Sequence, residues 1–75
     1  MRTATVLLRS ISDVKEFVNI MTKCEYDVDL VSGRYIVDAK SIMGIFSLDL
    51  AKPISANIHN DDCQSLLDEI KKFSV

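Results

Sequence analysis

The chain has 75 residues, 48% of them hydrophobic, with one proline and two glycines. That length allows one domain burying about 60% of its unfolded surface, and the composition excludes a disordered or low-complexity segment. A formal charge of −2 gives no cationic footprint for nucleic acid. No apolar run approaches the roughly 18 residues of a membrane span, and the N-terminus lacks the basic-then-apolar layout of a signal peptide, so a cytoplasmic protein is expected.

In chain order, Thr3 to Leu8 is β-branched and aliphatic over a strand's length, and Ser10, Ser12 and Asp13 then offer helix caps. Val14, Phe17, Val18 and Met21 recur at helical spacing, with Ile20 and Cys24 widening the apolar stripe. Tyr26, Val28 and Leu30 alternate with Asp27 and Asp29, Ser32-Gly33 signals a hairpin turn, and Arg34 to Asp38 returns as a second strand. Ala39 to Phe46 reads as a short helix capped by Ser41, and Asp49 to Pro53 as a loop. Ile54 to His59 is a last strand. Asn60-Asp61-Asp62 is expected to cap a final helix carrying Cys63, Leu66, Leu67, Ile70 and Phe73 on one stripe, with acids at its start and Lys71 and Lys72 at its end matching the helix dipole.

The order β-α-β-β-α-β-α predicts an α+β fold over residues 1–75: an open-faced two-layer sandwich with a four-stranded antiparallel sheet, two long helices covering one face and the short helix near the edge. The two cysteines, Cys24 and Cys63, read as reduced, small apolar residues. With one histidine, His59, and no Cys/His spacing of ligand type, neither metal nor cofactor is expected. The charges Asp27, Asp29, Arg34 and Asp38 read as a solvated face of the hairpin.

Lys40-Ser41-Ile42-Met43-Gly44-Ile45-Phe46-Ser47-Leu48 sets a capping serine beside an apolar cluster broken by glycine. A two-turn helix buries only one side, so four large apolar residues exceed what it can hide. Exposed clusters of this kind mark interaction surfaces. Gly44 weakens such a helix by about 1 kcal/mol, tolerable where a partner or the sheet must come close.

This segment, the element order and the run from Glu16-Phe17-Val18-Asn19 through Tyr26-Asp27-Val28-Asp29-Leu30 resemble HPr, the small phosphocarrier of the bacterial sugar phosphotransferase system. The resemblance spans the chain and implies the HPr-like sandwich. It lays the family's regulatory serine onto Ser41, its phosphorylated histidine onto Ser10 and the neighbouring arginine onto Ser12. Leu8-Arg9-Ser10-Ile11-Ser12-Asp13 stands where the family has a Gly-Leu-His-Ala-Arg-Pro-like segment. A serine ester hands on its phosphoryl group far less readily than phosphohistidine, and Ser12 lacks arginine's planar cationic fork. Asp13 would also repel a phosphate at that helix start.

The resemblance therefore implies a non-enzymatic, HPr-like regulator with no catalytic residues, similar to the family's histidine-lacking paralogue in carbon catabolite repression. It is expected to bind proteins through Lys40, Ile42, Met43, Ile45 and Phe46 and to be phosphorylated at Ser41. Its expected partners are an HPr-kinase-like enzyme, a transcriptional regulator or phosphotransferase components, with neither nucleic acid nor membrane. The alternatives are a phosphocarrier with its acceptor moved to Ser10 or His59, and a diverged scaffold with no phosphorylation. Against these stand simpler roles: Ser10 as a helix cap in the Ser10-x-x-Asp13 pattern, Ser41 as another, and His59 as a structural or exposed histidine far from the relay site.

Overall fold

A computed structural model describes residues 1–75. Its elements are β1 (Arg2–Val6), α1 (Ile11–Thr22), β2 (Val28–Ser32), β3 (Tyr35–Asp38), α2 (Ile42–Phe46), β4 (Ile54–Ile58) and α3 (Gln64–Ile70), followed by a 3-10 turn over Lys71–Phe73. The four strands form one antiparallel sheet, as the sequence pattern predicts, and their order across it is β1-β4-β2-β3. Val28, Leu30, Ile54, Ala56 and Ile58 project from one face into a single core, where they meet Val14, Phe17 and Met21 of α1 and Leu66 and Ile70 of α3. Phe17 and Phe73 lock the two long helical segments together edge to face, with ring centroids 5.7 Å apart. The alternate strand residues Asp29, Ser55 and Asn57 stay half-exposed on the other face.

The α2 helix packs against β3 and α1, near the edge of the sheet. No charged or polar residue is fully buried. Stability therefore rests on apolar burial and satisfied backbone.

Several boundaries differ from the sequence expectation. β1 ends at Val6, which pairs with Ile54. Pro53 precedes Ile54 and has no N–H to extend the ladder. Leu7 instead donates to the Phe73 carbonyl at 2.8 Å, and Leu8 is a buried plug outside any strand. β2 begins at Val28, which pairs with Ile58, the last residue of β4. Tyr26 lies beyond that end and packs on the core from outside the sheet.

α1 starts at Ile11, because Ser10 is its cap: the Ser10 hydroxyl accepts from the Asp13 amide at 3.1 Å, while Asp13 Oδ2 accepts from the Arg9 amide at 2.9 Å. α2 is shorter than expected, since Ala39 is buried in the core and donates to the Val28 carbonyl.

The expected acidic cap of the last helix is not formed. Cys63 is the N-cap residue of α3 and supplies no side-chain bond, and the first turn carries no acid. Asn60 Oδ1 accepts from the Asp62 amide in a local turn. Asp61 pairs with the N-terminal amine, which holds its carboxyl below the usual carboxylate range. Of the lysines expected at the helix end, Lys72 pairs with Glu16 of α1.

Candidate functional site

The segment around α2 is shaped by two local contacts. Ser41, extended at φ −100° and ψ 107°, caps the helix, and its hydroxyl accepts from the Gly44 amide at 3.1 Å. A Cβ at position 44 would lie 3.2 Å from Val37 Cβ and 3.2 Å from Ser41 Oγ, so glycine is what lets α2 lie flat on β3. The close approach that Gly44 serves is to the sheet.

Seating α2 this way sorts its apolar residues. Ile45 is fully buried, with Leu48 after it, and Ile42 is half-buried against the core. Met43 is 77% exposed and Phe46 42% exposed. Ile45 is thus a core residue and is withdrawn from the expected contact surface. Lys40 is also less available than expected, because its ammonium donates to the Cys24 carbonyl at 3.0 Å, just beyond α1. Its amide donates to Asp38 Oδ1 at 2.9 Å. The accessible part of the segment is Met43 and Phe46, flanked by half-buried Ser41 and Ile42.

Ser10 and Ser12 are exposed at the start of α1, Ser10 as the cap and Ser12 in the first turn. His59 is at the far end of the sheet. Ser10 follows β1 beyond Val6, which pairs with Ile54, whereas His59 follows Ile58, which pairs with Arg2. Four strand steps of about 3.4 Å separate those two ends of β4. His59 Nε2 lies 2.8 Å from Asp29 Oδ2, and with Asp27 and Asp38 they line a polar hollow of about 490 Å³. No group of histidine, cysteine, aspartate and glutamate side chains has the arrangement to hold a metal ion.

Several solved structures share this fold. HPr-C-His from Thermoanaerobacter tengcongensis superposes with a TM-score of 0.80 at 22% identity, covering 96% of this chain and 89% of that one. The phosphocarrier protein HPr of Bacillus anthracis gives 0.75 at 22% identity over 99% and 96%. The chain has the HPr fold. A histidine-containing phosphocarrier protein described from a mycoplasma gives 0.72 at 14% identity over 95% and 86%. No family model matches the sequence, and no curated protein matches it with significance.

Within this HPr fold, two clusters escape the sequence reading. Cys24 and Cys63, both free thiols, line a hollow of about 500 Å³ together with Tyr26. Burial pushes the Tyr26 phenol above its ordinary value, and the adjacent Cys24 adds to the effect. The second cluster gathers Arg34 and Tyr35 from the hairpin with Ser47 and Lys52 from the segment after α2. Only the fold brings these together, although the exposed Arg34-Tyr35 pair beside Gly33 is a usable sequence signal. No helix is long and apolar enough to cross a membrane.

Proposed function

We propose that this chain is a non-enzymatic, cytoplasmic protein of the HPr type that has given up the phosphorelay and acts by docking to other proteins through the exposed side of α2, with Ser41 as a phosphorylation switch. The observation that carries the reading is the contrast between the two serines. Ser10, where the resemblance lays the relay histidine, has a structural task as the α1 cap, and the position two residues on, where the resemblance lays an arginine, is Ser12. Ser41 stands next to large apolar side chains that the core leaves uncovered, Met43 and Phe46.

A phosphate on Ser41 adds about −1.5 to −2 charges at a helix start, where the free amides of the first turn favour an anion, so the fold tolerates it. What changes is the field beside Met43 and Phe46: acidic partners are repelled and basic ones attracted. Such partners are an HPr-kinase-like enzyme, a transcriptional regulator or phosphotransferase components. The carrier alternative with a moved acceptor is disfavoured at His59 by its place at the opposite end of the sheet from position 10, and at Ser10 by the capping bond that its hydroxyl already makes.

Incubation with an HPr kinase and ATP, followed by site localisation by mass spectrometry, tests the switch. Phosphate on the wild type and none on Ser41→Ala is the expected result. An unmodified wild type, or equal modification of Ser41→Ala, overturns it.

A further inference from the structure

We propose that the hollow between the hairpin turn and the segment after α2 is a docking pocket for an acidic segment of a partner protein, in which a carboxylate meets Arg34 and Lys52 while its apolar neighbour packs on Tyr35. This rests on the reading of α2 as a docking surface and extends it to the other end of the same helix.

The hairpin turns at Gly33, whose φ of 62° is left-handed, and this brings Arg34 and Tyr35 opposite Ser47, the C-cap residue of α2, and Lys52. The hollow is open to solvent and about 560 Å³ in volume. Tyr35 is 66% exposed and is its only hydrophobic lining residue. Arg34 makes no ion pair. The one acid in the lining, Asp49, accepts from the Ala51 amide at 3.1 Å, and its other oxygen is 4.0 Å from Lys52 Nζ, too long for a hydrogen bond.

In a chain with a net charge of −2, an unpaired guanidinium, a loosely held ammonium and an exposed phenol share one concavity. The guanidinium fork suits a carboxylate in two-point contact. Arginine and tyrosine are residue types that dominate interfaces once a partner covers them. The exposed phenol ring of Tyr35 gives the residue next to the carboxylate an apolar surface within the same hollow.

Ser41 and Ser47 bracket the five residues of α2. At 1.5 Å per residue they are about 9 Å apart, beyond the roughly 8 Å screening length at physiological salt, so a charge on Ser41 and the pocket are largely screened from each other.

Amide chemical-shift titration of the full chain with a blocked Glu-Phe-Asp-Glu peptide tests the pocket, with a Lys-Phe-Lys-Lys peptide and inorganic phosphate as comparisons. Saturable shifts confined to the hairpin turn, Ser47 and Lys52 are expected from the acidic peptide and not from the basic one. Arg34→Gln is expected to weaken binding by roughly tenfold, the loss of a charge-assisted pair. Both cations are exposed, so this variant and Lys52→Gln retain the fold. Absence of those shifts, or equal shifts with inorganic phosphate, overturns the proposal. Ser41→Ala leaves this titration unchanged, so loss of the phosphorylation switch and loss of the pocket are separately visible.

Discussion

Replacing Ser10 with alanine deletes one hydrogen bond, the 3.1 Å contact from the Asp13 amide, and touches nothing in the core, because Ser10 is exposed. Removing an N-cap hydroxyl costs about 1 kcal/mol. For a domain of this size that lowers Tm by roughly 4–8 °C. Asparagine supplies an equivalent acceptor, so Ser10→Asn is expected within a few tenths of a kcal/mol of wild type. Circular-dichroism melts and urea titrations of the three proteins measure this directly. A neutral Ser10→Ala, or a Ser10→Asn as unstable as Ser10→Ala, refutes the capping role. That role bears on function, because it accounts for the serine onto which the resemblance lays the relay histidine without any phosphate chemistry.

Ile45→Ala should cost about 2–5 kcal/mol by opening a cavity, whereas Met43→Ala, in the same helix but exposed, should stay within about 0.5 kcal/mol; urea unfolding separates them. Gly33→Ala places a side chain at φ 62°, where space is free but the backbone conformation costs about 1–2 kcal/mol, and Gly33→Asn should recover part of it in the same assay. Tyr26 has a folded pKa raised above its ordinary 10.0, so the folded state holds the phenolic proton more tightly than the unfolded chain. Its contribution to stability is complete below the ordinary value and is lost as the pH rises through the raised folded value, so Tyr26→Phe should lessen the decline in stability on the alkaline side of pH 10.0.

What was legible in the sequence depended on local periodicity. The stripe of Val14, Phe17 and Met21 and the Ser32-Gly33 turn signal translate directly into α1 and the β2–β3 hairpin. Tyr26 continues the alternation of Val28 and Leu30, yet it falls outside the sheet because the partner strand ends at Ile58, a fact of long-range register. Ile45 and Met43 are equally apolar neighbours in a short helix; which one turns inward is decided by the contact between Gly44 and Val37. Lys40 looked free because its acceptor, the Cys24 carbonyl, is sixteen residues away. Asp61 looked like a helix-dipole partner but is taken by the N-terminal amine, sixty residues off. The pocket of Arg34 and Lys52 was illegible for the same reason: it is formed where two loops distant in sequence meet.

The proposed function requires that this chain, which has the HPr fold, receive phosphate at Ser41 as a signal and relay none. Site localisation by mass spectrometry after two separate reactions decides the matter, one reaction with HPr kinase and ATP, the other with enzyme I and phosphoenolpyruvate. A single phosphate on Ser41 is expected from the first reaction and an unmodified chain from the second. Phosphate on Ser10 or His59 from phosphoenolpyruvate, with Ser41 unmodified by the kinase, would contradict it.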